Sequence, residues 1–157
     1  SELIITVIVT LLVIILIFIG PRIPHIVNRL HCGTNLSSLS MAMLVYNNDY
    51  NGFSTPDKWC DLLIEKCKID PKTFHCPGAR KGPCNYALNK YIFELGSITD
   101  PNIVVLFETN PGWNQVGGPE ILTTENHKGK GCNIGFLDSH VEFVETKDIG
   151  KLKWKPD

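Results

Sequence analysis

Charge of one sign is missing from this sequence: 15 Lys and Arg against 16 Asp and Glu leave a formal net charge of -1 over 157 residues, with a pI near 6.5. The basic residues are scattered rather than striped, so the electrostatic footprint of a nucleic-acid-binding surface is absent and nucleic acid is not expected as a partner. No Cys-x-x-Cys-His occurs, which excludes covalently attached haem. No internal repeat and no low-complexity tract is present, which excludes a solenoid or a disordered tether. Most telling, no charged residue lies between Glu2 and Arg22, and within the run from Leu3 to Ile19 only Thr6 and Thr10 are polar. A helix in the core of a soluble domain needs a polar face, and this run has none.

What is there starts with that run. It is long enough to cross a bilayer as a helix, in which both threonine hydroxyls return to the helix's own backbone carbonyls. With no basic segment ahead of it and no small-residue cleavage site behind it, it reads as a retained anchor rather than a secretory signal. Glu2 has two readings. It marks the interface where the span ends, or it is an acid that enters apolar surroundings only when a cation from a neighbouring chain neutralises it.

Six cysteines, Cys32, Cys60, Cys67, Cys76, Cys84 and Cys132, form an even set behind a membrane anchor, which suits an oxidising compartment and disulfides. The head should therefore lie outside the cytoplasm. Arg22, His25 and Arg29 argue the other way, because the positive-inside rule places a basic flank in the cytoplasm. The cysteines take precedence, since the rule weighs both flanks of a span.

Pro21 and Pro24 should loosen the helix where it leaves the membrane. Beyond them Ile26, Val27, Leu30, Leu36, Leu39, Met43, Tyr46 and Tyr50 recur at helical spacing, with Gly33 as a local weakness. Asn47 to Gly52 ends the helix with turn formers and a glycine suited to positive φ. The first fifty residues thus read as one long helix, giving two regions: a rod over 1–52, whose 1–20 segment is the membrane span and 21–52 segment is amphipathic, and a disulfide-rich globular head over 53–157. In the head, Trp59, Leu62, Leu63 and Cys67 share one face of a short helix capped by Thr55 or Asp57. Residues 70–90 hold Pro71, Pro77, Gly78, Gly82 and Pro83 and read as a loop shaped by crosslinks. Asn102 to Asn110 is β-branched, apolar and bounded by prolines, a buried strand, and Asn133 to Leu137 with Val141 to Glu145 flank Asp138 and Ser139 as a hairpin. The fold class is α+β: a long apolar helix packed by its outer half against a small antiparallel sheet.

All six cysteines are expected to pair within the chain. Cys60 and Cys67 lie two helical turns apart and cannot bridge each other, so they take partners elsewhere, with Cys84 and Cys132 as candidates. Cys32 must tie the long helix to the head, with Cys76 the preferred partner.

Other constellations reduce to structure. Asn47, Asp49, Asn51 and Gly52 imitate a calcium loop, but Lys58 stands where the closing Glu belongs. His75, Cys76 and Cys84 lack zinc-knuckle spacing. His127, Asp138 and His140 sit on or beside a hairpin with no nucleophile, and the Asn35-Leu36-Ser37 sequon falls inside a helix. No catalytic, metal or cofactor residue is expected.

The chain resembles bacterial type IV pilins and type II secretion pseudopilins, in particular the prepilin-like proteins of planctomycetes. The resemblance is carried by Glu2, the run Leu3 to Ile19 and Pro21 near its exit; by Cys32, Asn35, Leu36, Asp49, Tyr50 and Gly52; by Cys76, Pro77, Tyr86, Ala87 and Asn89; and by His127, Asn133, Phe136, Asp138, His140 and Val141. It covers nearly the whole chain. Two departures are a serine, Ser139, where the family has glycine, and a His127 to Asp138 interval one residue longer, which imply a different turn or bulge. The resemblance implies a type IV pilin-like fold, cleavage of a leader by prepilin peptidase, N-terminal methylation, and insertion in the inner membrane followed by assembly with identical subunits into an extracellular filament. Glu2, Leu3, Ile19, Pro21 and Pro24 then become assembly residues, and the pilus or secretion machinery becomes a partner. The alternatives are a pseudopilin of a type II secretion system and a membrane-anchored extracytoplasmic binding domain that presents the Gly112 to Gly118 loop to a ligand. A bitopic enzyme is least favoured, because no acid-base pair or nucleophile can be named.

Overall fold

The computed structural model describes residues 2–50, 52, 55–94 and 100–155. Helix α1 runs Glu2–Ile19 and α2 runs Ile23–Tyr50, joined by a 3-10 turn at Gly20–Arg22. Thr6 Oγ1 donates to the Glu2 carbonyl and Thr10 Oγ1 to the Thr6 carbonyl, so the run's two polar side chains are satisfied within the helix. Proline at 21 has no N–H to give, and the α-helical ladder yields to tighter turns there, as its position predicts.

The head follows α2 with α3 (Trp59–Cys67) and strands β1 (Tyr86–Asn89), β2 (Val104–Glu108), β3 (Val116–Gly117), β4 (Gly131–Phe136) and β5 (Val141–Glu145). They form one sheet in the order β3-β1-β2-β4-β5. The predicted strand and hairpin are present, with Cys132 opposite Val144 and Ile134 opposite Glu142. The sheet is mixed rather than antiparallel, because β3 pairs parallel with β1. Strand β1 also falls inside the tract expected to be loop; its four residues are all buried, too short a run for alternation to reveal.

α2 packs across the sheet through Cys32, Leu36, Leu39, Ala42 and Met43, joining Trp59, Leu63, Phe74, Tyr86 and Leu88 in the main core. The stripe is shorter than its periodicity implied: Ile26, Val27, Leu30 and Tyr50 stay exposed. The helix lies close to β4 at Gly135, where an added Cβ would stand 2.4 Å from Ser40 Oγ. A second cluster on the other side of the sheet holds Ala87, Phe107, Cys132 and Ile134, closed by the C-terminal Trp154, whose ring meets Phe107 edge-on.

Three local expectations are overturned. Neither Thr55 nor Asp57 caps α3: neither forms a side-chain cap bond, and Asn114 Oδ1 instead accepts from Cys60 N at 2.8 Å, so a distant loop satisfies the helix start. Gly52 bonds back to the Asn47 carbonyl without a left-handed φ, while Asn51 lies outside the described residues. Cysteine pairing is limited to Cys32–Cys76; Cys60, Cys67, Cys84 and Cys132 are free thiols. Burial pushes the Cys60 and Cys132 thiols up, keeping them protonated and inert, with the facing Cys84 thiol adding to the effect at Cys60 and the Glu108 charge at Cys132.

Candidate functional site

Residues far apart in sequence converge where α2 meets the sheet. The Cys32–Cys76 disulfide joins the first fully buried position of α2 to the loop ahead of β1, with a Cα separation of 4.7 Å. Against it lies His127, whose Nε2 stands 3.9 Å from Cys76 Sγ and 3.0 Å from Oε1 of Glu108 at the end of β2. Asn133 on β4 completes the group. Its Nδ2 donates to Glu108 Oε1 at 2.6 Å and to the Arg29 carbonyl of α2 at 3.2 Å.

Around this centre the α2 backbone is fastened again. Tyr86 Oη donates to the Cys32 carbonyl at 3.2 Å, and Asn35 Nδ2 donates to the His75 carbonyl at 2.7 Å. Burial raises the Tyr86 hydroxyl well above its ordinary pKa, and the Glu108 charge adds to this, so it remains a donor. The Asn35 amide is thus a structural clamp, which accounts for the sequon. Glu108 is wholly buried and its contacts fall on one oxygen; Oε2 has no partner among the described residues.

The chemistry depends on the sulfur redox state. The ligand atoms of Cys32, Cys76, Glu108 and His127 lie within 4.8 Å of one another. Reduced, they would offer two thiolates, an imidazole and a carboxylate, a donor set of the kind that takes zinc. Oxidised, the two sulfurs are bonded to each other, and His127 and Glu108 alone are too few for a closed tetrahedral site. A catalytic relay does not fit either, because the same nitrogen, Nε2, faces both Cys76 and Glu108, whereas a relay passes through both ring nitrogens.

Several residues singled out in the sequence meet here: Cys32, Asn35, Cys76, Tyr86, His127 and Asn133. Asp138 and His140 do not. They bond to each other on the β4–β5 turn, both half-exposed, and that turn places Ser139 at φ 72°, the left-handed conformation glycine adopts more readily. Sequence reading missed Glu108. Its signal was present, since it is the one charged residue in the apolar strand Val104–Glu108.

The glycine-rich Gly112 to Gly118 segment is built into the fold by side-chain and backbone bonds, with the Trp113 ring partly exposed. Trp113 Nε1 and Asn114 Nδ2 both donate to the Asp61 carboxylate, Leu88 N and Trp59 Nε1 both donate to the Gln115 carbonyl, and Val116–Gly117 is β3. The Asn114 and Trp113 bonds hold the Asp61 carboxyl below its ordinary range.

The other notable surface is α1 itself. None of its side chains is buried, and its large apolar residues are between 44% and 77% exposed. It is long and apolar enough to cross a membrane. No family model, no curated protein and no solved structure matches the chain.

Proposed function

We propose that this chain is the structural subunit of a type IV pilus-like filament, held in the inner membrane by α1 before assembly and bundled through α1 with identical subunits afterwards. The observation that carries the reading is an 18-residue apolar helix with no buried side chain, continuous with a helix whose outer half completes the core of a closed head. Such a surface far exceeds the apolar patches of soluble monomers, so it requires lipid or equivalent helices around it. Leaving the bilayer is then coupled to polymerisation, and a repeated heterologous contact that does not close generates a filament rather than a ring. The resemblance to pilins supports the same reading, because several of the residues that carry it form the joint between rod and head.

On this reading Glu2, exposed at the start of α1, meets the N-terminal amine of a neighbouring subunit during assembly, since an unpaired carboxylate in an apolar bundle is strongly unfavourable. Prepilin peptidase and a pilus or secretion machinery are the implied partners, and an extracellular fibre is the implied location. The test is electron microscopy of sheared surface material with an antibody to the head. Fibres are expected from the wild type, and a membrane-inserted but unassembled chain from Glu2→Ala. Wild-type fibre yield from Glu2→Ala overturns the role of Glu2, and a wild-type chain recovered only as detergent-soluble monomer overturns the filament.

A further inference from the structure

Directly beyond the end of α1 the head and the helix enclose a cavity of about 240 Å³. One wall is the start of the outer rod, with Arg22, His25 and Arg29; the other is the loop before β4, with Lys128 and Lys130; Phe143 of β5 lies between them. Among the described residues, no acid lines it. Two arginines and two lysines therefore face one space in a chain whose overall charge is -1. Lys128 Nζ even stands 2.7 Å from His25 Nε2, a pairing of two basic groups across the cleft. Arg29 rests over the Phe143 ring at 4.6 Å, which holds its guanidinium at the cavity wall.

Like charges gathered without a counter-ion are unfavourable unless an anion sits among them. The place of the cavity says which anion. α1 spans about 27 Å at 1.5 Å per residue, close to the roughly 30 Å of a hydrocarbon core. Arg22 then emerges about 5 Å beyond the apolar layer and Arg29 about 15 Å, so the mouth of the cavity lies at headgroup depth and long basic side chains reach back toward it.

We propose that this cavity binds the phosphate group of an anionic phospholipid, holding the subunit upright in the membrane before assembly. The inference rests on the reading of α1 as a membrane span. It also accounts for the basic flank that contradicts an exported head under the positive-inside rule: Arg22, His25 and Arg29 form half of a folded binding site with Lys128 and Lys130, rather than a flexible flank that sets topology.

The experiment uses the full chain in nanodiscs of phosphatidylcholine alone or mixed with phosphatidylglycerol, counting lipids retained after gentle release by native mass spectrometry. Phosphatidylglycerol should be retained in preference to phosphatidylcholine. Arg22→Gln with Lys128→Gln, one residue from each wall, should weaken that preference by roughly thirtyfold, the combined effect of two basic contacts at an anionic surface. The charge-matched control Lys58→Gln with Lys66→Gln lies at the start and within the last turn of α3, whose Cys67 meets the Ala42 carbonyl about 30 Å further along the helix, and should change it less than about twofold. Folding of each variant is checked by intrinsic tryptophan fluorescence, to which the buried Trp59 contributes. Equal retention of both lipids, or equal loss in control and pocket variants, overturns the proposal. Displacement of the lipid by inorganic phosphate overturns the lipid as source and leaves a soluble phosphate as ligand. Insertion is scored separately by flotation with pure phosphatidylcholine vesicles. A chain that does not float refutes the span and with it a lipid source, and inorganic phosphate titrated against wild type and pocket variant then decides whether the cavity takes phosphate at all.

Discussion

The two halves of the N-terminal rod are both helical and both carry apolar residues, but they differ in what touches them. In α2, Leu36 and Leu39 are 0% exposed beneath the sheet, whereas in α1 the least exposed large apolar residue, Ile14, is 44% exposed. The sequences explain the divergence. α2 alternates its apolar stripe with the exposed Thr34, Ser37 and Ser38, so one face is committed to the head and another to water. α1 has no such division and cannot be finished by a partner on one side. One half of the rod is completed inside the molecule, and the other is completed only by an environment that surrounds it.

The largest effect should come from removing a side chain from the finished half. Leu39→Ala leaves a cavity in the main core and should destabilise the head by about 2 to 5 kcal/mol, while Leu12→Ala in α1 should leave that stability unchanged. Denaturant unfolding of the full chain in detergent, followed by intrinsic tryptophan fluorescence, compares the two. Equal destabilisation would show that α1 is packed on the head after all.

Next comes the bond that joins the halves. Reduction, or Cys32→Ser with Cys76→Ser, opens a loop of sequence separation 44 and should cost roughly 2 to 4 kcal/mol by the same assay. Intact-mass measurement after thiol alkylation should find four reactive cysteines in the denatured chain without reductant and six with it. Six unreduced thiols would remove the link from the account of the joint.

How legible this was varies along the chain. The long apolar helix, the helix break at Gly20–Arg22, the strand ending at Glu108 and the hairpin announce themselves through period or proline position. Reach along a helix says that Cys32 pairs with the head, although the choice of Cys76 is a preference that no spacing dictates. Strand β1 and the two-residue β3 do not, because four buried residues and a glycine-rich edge carry no period. Full pairing of the cysteines was the wrong extension of a sound argument. Even number and compartment say nothing about where side chains end up, and Cys132 is sealed in the second cluster on the far side of the sheet from α2. The cluster around Glu108 was half legible: its histidine, asparagine and cysteines stood out, but the lone acid in the apolar strand passed as part of the strand.

Smaller effects sharpen the comparison within the head. Ser139→Gly relieves a left-handed residue in the β4–β5 turn and should stabilise by up to about 1 kcal/mol, read as a small rise in thermal midpoint. The smallest concerns Asp61. Because its folded carboxyl is lowered, its contribution is fully present above the unfolded value near 3.9 and is lost as pH falls through the folded value. Asp61→Asn should therefore flatten the acid side of the stability profile by no more than about half a kcal/mol, given its exposure. Its effect should vanish once wild-type Asp61 is protonated, and an undiminished difference there would show that packing rather than charge is responsible.

The position of the disulfide has a mechanical consequence. Cys32 is the first fully buried residue of α2, so any tension applied along α1 reaches a covalent anchor before it reaches the packed contacts of Leu36, Leu39 and Met43. Without that anchor, a pull would peel the helix from the sheet one turn at a time, with each turn resisting alone. With it, the load passes through the sulfur atoms into the segment ahead of β1, and the head resists as a single body until a covalent bond is reduced.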